Sequence, residues 1–345
     1  MSDLESAWVR VGGIAGTTGT LCTSSSARAR SGTGCGAVLS LLALLCGVCS
    51  AQTQIRVDVR LVNVAFSVRD AQGALVGNLD RDDFEVTEDG VPQKISFFAH
   101  STDLPLNLGF IVDFSYSQGS FVKAHDNDLK TFLKTVLTPR DRTFLVGFAS
   151  NPQLIADLTE SPQEITSALK RYENSKDRRE FPNLGPREIR DRCCNTAFYD
   201  AVYYPITDLL APSDTGQRAA LIFSDGEDHL SAKTEFDVIE AAQNSNTVLY
   251  CLRYTETQNG RMTARNKYGM SVLRRIAQDT GGEEFDSREH GLAADFKRIA
   301  EQLRSSYQLS YHSTNPADDG AFRKIVIRVK QPDLLVRAKA GYYAH

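Results

Sequence analysis

The chain has no basic tract with interleaved aromatics, and its 39 Lys and Arg stand against 43 Asp and Glu for a net charge of −4. Nucleic acid is therefore not an expected partner, because phosphate backbones are held by clustered Lys and Arg. There is no CxxC pair and no Cys/His spacing suited to zinc. The six histidines (His100, His125, His229, His290, His312 and His345) are scattered, and no Cys–His or Ser–His–Asp arrangement emerges for nucleophilic catalysis. No internal repeat is visible. What remains is an ordinary globular composition, 41% hydrophobic and 24% charged, over 345 residues. At roughly 150 residues per domain that length suggests about two domains, either able to bury a core without disulfides.

The N-terminal region carries an apolar run, residues 37–48, too short to span a bilayer comfortably. Arg28 and Arg30 precede it and Cys49, Ser50 and Ala51 follow. That order of charge, apolar stretch and small residues predicts a secretory signal cut after Ala51, with a long extension ahead of it; an uncleaved anchor is the alternative. Export would remove Cys22, Cys35, Cys46 and Cys49 and leave Cys193, Cys194 and Cys251. Cys251 lies in the run Val248-Leu249-Tyr250-Cys251-Leu252 and reads as a small core residue. Cys193 and Cys194 can pair or remain free thiols.

Three zones follow. Residues 52–105 alternate apolar and polar positions, as in Ile55-Arg56-Val57-Asp58-Val59, with turns at Gly73 and Asp89-Gly90, and read as a small all-β segment. Residues 106–304 alternate strands with helices. The apolar runs 106–112, 143–149, 219–223 and 247–252 read as strands buried on both faces. Helical spacing links Leu129, Phe132, Leu133 and Val136, then Phe198, Val202, Ile206 and Leu209, then Leu292, Phe296, Ile299 and Leu303. The expected fold class is therefore α/β, a doubly wound, mostly parallel sheet of Rossmann-like kind with flanking all-β, sandwich-like segments. Residues 305–345 return to strands and are expected to pair with 52–105 in one discontinuous sandwich; an independent N-terminal sandwich with a C-terminal hairpin is the alternative.

The chemistry-bearing residues gather where these strands end. Asp113-Phe114-Ser115-Tyr116-Ser117 leaves the first central strand, and alternate residues leaving a strand point the same way. Asp-x-Ser-x-Ser alone is weak, since turns are rich in Asp and Ser. Thr196, however, opens the helix Ala197-Phe198-Tyr199-Asp200-Ala201, and Asp225 directly follows the strand Leu221-Ile222-Phe223 and precedes Gly226. All fall on the edge of the sheet where ligands of α/β folds sit.

These three segments resemble, in order and setting, the motifs of the von Willebrand factor type A domain and its metal-ion-dependent adhesion site, over residues 106–303. The segment Asp83-Phe84-Glu85-Val86-Thr87-Glu88-Asp89-Gly90 and the ending Ala340-Gly341-Tyr342-Tyr343-Ala344 are similar to an exported bacterial group of this type, best known from acidobacteria. The resemblance implies that Ser115, Ser117 and Thr196 contact a metal through hydroxyl oxygens, while Asp113 and Asp225 hold it largely through bound waters. Hard oxygen donors suit Mg²⁺ or Mn²⁺ better than zinc. Neutral hydroxyls leave the cation open to an Asp or Glu carboxylate of a protein partner. The implied function is an exported adhesion or assembly module, not an enzyme and without a small-molecule substrate. Two other readings stay open: a structural envelope component whose metal site is unused, and a hydrolase using metal-bound water near His229. Two features depart from the family. Gln118-Gly119-Ser120 follows Ser117, and the highly charged stretch 174–194 precedes Thr196. That stretch either shapes the binding face or is a solvated loop, and Glu227 and Asp228 either assist a second cation or are simply exposed.

Overall fold

The structure, a computed structural model, describes residues 61–186, 196–213, 216–255, 261–287, 292–315 and 317–345. The export signal expected over 1–51, the strand start at 55–60, Cys193 and Cys194, and the end of the charged stretch lie outside these residues.

At the centre is a six-stranded sheet in the order β10-β9-β8-β5-β6-β7. Its members are β5 (Leu106–Asp113), β6 (Arg142–Phe148), β7 (Pro152–Thr159), β8 (Gln217–Ser224), β9 (Thr247–Arg253) and β10 (Glu284–Asp286). All neighbours pair in parallel except β7, which runs antiparallel to β6 at the edge. The continuous apolar runs read from the sequence are the central strands, and every residue of β5 is buried. Alternate side chains feed two cores. Leu106, Leu108, Phe110 and Val112 pack under α1 (Val122–Val136), α2 (Pro162–Asn174) and α6 (Leu292–Arg304). Ile111, Ala220 and Ile222 pack under α3 (Phe198–Pro205), α4 (Glu235–Asn244) and α5 (Ala264–Asp279). Among the described residues, then, three helices cover each face, which is the doubly wound α/β class.

Local chemistry sets the helix ends. Ser161 Oγ accepts from Glu164 N at 3.3 Å and Pro162 takes the first turn of α2, a cap worth about 1 kcal/mol. The helix read through Ile206 and Leu209 is split: α3 ends at Pro205, and residues Ile206–Leu210 form a wider turn. At the foot of the sheet the Asp141 carboxylate accepts from Leu106 N (3.0 Å) and Thr138 N (2.7 Å) and meets Arg304, tying β5, the end of α1 and the end of α6 together.

The remaining strands form two four-stranded sheets: β13-β1-β11-β4 and β14-β12-β2-β3. They comprise β1 (Leu61–Arg69), β2 (Phe84–Glu88), β3 (Val91–Gln93), β4 (Ile95–His100), β11 (Tyr307–His312), β12 (Phe322–Val329), β13 (Leu335–Ala338) and β14 (Gly341–Tyr343). Each sheet mixes strands from both ends of the chain: β1 pairs with β11 and β13, and β12 with β2. Their facing side chains share one core, with Phe66 stacked on Tyr307 at 5.3 Å. Residues Val57–His345 make one compact unit. No helix of the described residues is long and apolar enough to cross a membrane.

One core residue of α1 makes stability depend on pH. His125 is 2% exposed, both ring nitrogens lack a hydrogen-bond partner among the described residues, and its ring sits edge-on 4.3 Å from Tyr254. Burial pushes its pKa down to about 3, against an ordinary 6.5. The unfolded chain then binds a proton that the folded chain refuses, so the stability held above pH 6.5 is lost as pH falls from there toward 3. The slope is roughly 1.4 kcal/mol per pH unit for one proton. Urea titrations between pH 7 and pH 4 should show this loss, and His125→Phe should flatten it; an unchanged slope in that variant would refute the assignment.

Candidate metal centre

Chain order reverses between β5 and β8: the chain leaves β5 for β6 on one side, and β8 lies on the other. A crevice opens outside the carboxyl ends of two parallel strands at such a point. Asp113 is the last residue of β5, and Asp225 follows the last residue of β8, with Val112 and Phe223 directly paired. The sheet therefore delivers two carboxylates to one place. Both are buried, at 0% and 3% exposure.

Each carboxylate is held by neutral donors. Asp113 Oδ1 accepts from Ser115 N (2.8 Å) and Oδ2 from Ser224 Oγ (2.7 Å). Asp225 Oδ2 accepts from Gln118 Nε2 (2.9 Å) and Oδ1 from Glu227 N (3.1 Å). Among the described residues neither forms an ion pair with a Lys, Arg or His. Burial, and then the negative charge of Asp225, push the Asp113 carboxyl up to about 7. Ser115 Oγ lies 3.2 Å from Ser117 Oγ, with Ser115 buried and Ser117 exposed. The structure thus links Asp113, Ser115, Ser117 and Asp225 through a chain of direct contacts and the Asp113–Asp225 repulsion. Thr196, 4% exposed, joins by its backbone: its carbonyl accepts from His229 N (2.9 Å) and Leu230 N (3.1 Å) in the loop leaving β8. Among the described residues its hydroxyl bonds to none of the other four.

Two glycines allow this packing. Gly226 has φ +77°, and a Cβ there would stand 2.6 Å from Gly269 O. A Cβ on Gly269 of α5 would stand 2.3 Å from Asp225 O. Helix α5 therefore meets the Asp225 loop backbone to backbone, and no larger residue fits at either position.

Several supporting residues were not assigned roles from sequence. Gln118, 1% exposed, bridges the loop after β5 to Asp225 and to Tyr254 O (3.2 Å) beyond β9. Its only sequence signal was a departure from the family pattern. Glu227 and Asp228 are not simply exposed. Glu227 is 8% exposed and pairs with Arg265 at 2.7 Å, while burial and Asp225 raise its pKa. Asp228 Oδ1 accepts from Phe198 N (2.8 Å) at the start of α3, and Asp200 of that helix accepts from Lys233 N (2.8 Å) in return. From the charged stretch, Arg178 stacks over Phe114 and Tyr172, at 5.4 and 4.6 Å, so this part lies against the Asp-x-Ser-x-Ser loop.

The donor set fits a hard divalent cation. Two buried carboxylates repel each other and, among the described residues, form no ion pair, and hydroxyls border them at an edge where Ser117 reaches solvent. Among the described residues no cluster of three His, Cys, Asp or Glu is found, so a metal here would depend on the hydroxyls.

No protein-family profile matches the chain. No curated protein matches it either. Solved structures do. A von Willebrand factor type A protein from Catenulispora acidiphila is 12% identical with a TM-score of 0.42, over 83% of this chain and 74% of that one. The conserved hypothetical protein BatB from Bacteroides thetaiotaomicron is 15% identical with a TM-score of 0.40, over 57% and 98%. Proximal thread matrix protein 1 of the mussel byssus, with a zinc-occupied MIDAS motif, is 14% identical with a TM-score of 0.44, over 64% of this chain and half of that one. What this site binds rests on its own geometry.

Gln118→Leu removes the donor to Asp225 Oδ2 and leaves the carboxylate free to turn. Mn²⁺ affinity measured by calorimetry should fall roughly 10- to 100-fold, as for other residues that orient a ligand. Undiminished affinity would show that Asp225 needs no such support.

Proposed function

We propose that the chain is an exported, metal-dependent protein-binding module of adhesion or assembly type, not an enzyme. The observation that carries the reading is the pair Asp113 and Asp225, buried together without a cationic partner beside the hydroxyls of Ser115 and Ser117. Asp113, Ser115, Ser117, Thr196 and Asp225 form the proposed metal set. A bound Mg²⁺ or Mn²⁺ supplies an open coordination position that an Asp or Glu carboxylate of a protein partner fills.

The chain's own residues do the rest. Ser224 and the Ser115 amide fix the Asp113 carboxylate, Gln118 fixes that of Asp225, and the Gly226–Gly269 contact seats the Asp225 loop against α5. Tyr116, between the two serines, is 85% exposed and offers a large aromatic face beside the opening. Aromatic side chains so placed are frequent anchors in protein interfaces. In this reading residues 106–304 are the metal-bearing domain, the segments 52–105 and 305–345 are its β mount, and residues 1–51 direct export to the periplasm, the cell surface or the medium.

Thermal unfolding of the protein in EDTA, Mg²⁺ and Mn²⁺, with Asp113→Ala in parallel, tests the site. At about 100 times the dissociation constant the metal should add roughly 2.7 kcal/mol to the wild type and nothing to the variant. Equal melting temperatures under all conditions would sink the metal mechanism. Esterase or phosphatase turnover abolished by Asp225→Ala would replace the binding module with a hydrolase.

A further inference from the structure

A second site lies away from the metal edge, where α4 and α5 meet β12 and β14. A cavity of about 410 Å³ opens there, within the roughly 300–1,000 Å³ of small-molecule sites. Three aromatic rings line it: Phe236 of α4, Tyr343 of β14 and Phe322 of β12. Tyr343 stands in the middle, its ring 4.9 Å from Phe236 at 67° and 5.1 Å from Phe322 at 55°. Rings inclined in this way make a corner rather than a stack. Phe236 and Phe322 also stay 51% and 39% exposed, so the corner is open to an occupant.

The charged residues of the lining are Glu235, Arg275 and Asp279, two acids to one base. Arg275 pairs with Glu235 at 3.0 Å. Asp279 is left over: among the described residues its carboxylate forms no ion pair and accepts no hydrogen bond. Burial raises its pKa, and the attraction of Arg275 offsets that only in part. Its position adds to the strain, because Asp279 is the last residue of α5 and a helix C-terminus favours cations over anions. Glu240, the other carboxylate that Tyr343 feels, already meets His345 at 2.8 Å. The cavity thus sets one uncompensated carboxylate beside an aromatic corner. Aromatic faces attract a cation and cover an alkyl chain, and a carboxylate accepts the N–H of an ammonium.

We propose that this cavity binds a small primary alkylammonium ion, with the ammonium on the Asp279 carboxylate and the alkyl chain against Phe236, Tyr343 and Phe322. n-Butylammonium is a simple molecule of that class, and n-butanol is its neutral analogue. The site is independent of the metal reading.

Calorimetric titration of the protein with n-butylammonium and n-butanol tests the proposal, with Asp279→Asn and Phe236→Ala alongside. n-Butylammonium should bind at least about tenfold more tightly than n-butanol, the weight of one charge-assisted hydrogen bond. Asp279→Asn should lose about the same factor, and Phe236→Ala roughly two- to fivefold, as for one exposed ring facing a cation. A nuclear Overhauser effect from the butyl chain to the Phe236 ring, in the wild type, locates the ligand even if a variant fails to fold. The proposal is overturned if n-butylammonium does not bind, if n-butanol binds equally well, if either folded variant binds as the wild type does, or if the Phe236 contact is absent.

Discussion

Two negative charges buried side by side are the constraint around which the upper edge of the sheet is organised. Adjacent parallel strands bring Asp113 and Asp225 to one crevice, and burying both raises the free energy of either charged form. The neighbouring residues answer that strain without cancelling it. Ser224, the Ser115 amide, Gln118 and the Glu227 amide are neutral donors that orient the oxygens and bring no positive charge. Beneath the sheet the buried carboxylate of Asp141 is instead met by an arginine, Arg304.

The β-sandwich also buries a carboxylate among neutral donors. Glu88 is 2% exposed, yet its carboxylate receives the hydroxyls of Tyr311 (2.8 Å), Tyr342 (3.1 Å) and Ser313 (2.6 Å). Three hydroxyl donors on one carboxylate make a closed network with nothing left to offer a ligand. Glu88 joins strands from the two ends of the chain, whereas Asp113 and Asp225 meet each other as like charges at the carboxyl edge of the sheet.

Much of this was legible in the sequence because it depends on local pattern. Apolar runs gave β5, β8 and β9, and the residues just beyond them are necessarily at one edge of a parallel sheet, which located Asp113, Ser115, Ser117 and Asp225. Helical spacing found the faces of α1 and α6. Pairing between the two end segments was expected, but not that β1 sits between β11 and β13, since strand pairing over more than 200 positions leaves no mark of its partners on either segment alone. Gln118 was visible only as an unexpected residue; its role needs the position of Asp225 and Tyr254, which no spacing encodes. Glu227 and Asp228 looked like surface acids because their partners, Arg265 and the start of α3, are brought to them only by the fold.

The braiding of the two chain ends sets an order of events in time. Asn63 and Ser310, bonded across 247 positions, and Glu88 and Tyr342, across 254, cannot meet until nearly the whole polypeptide is available. Closing so large a loop from an open coil is entropically unfavourable, and topologies dominated by such distant pairs form slowly. Once the α/β body has formed, however, Ser101 and Ser306 stand side by side with their hydroxyls 2.6 Å apart, and the effective loops for these two pairs shorten to roughly 40 and 50 residues. Whether released from a ribosome or threaded through a translocation pore, the first strand must therefore wait, its edges unpaired, for the last forty residues to arrive.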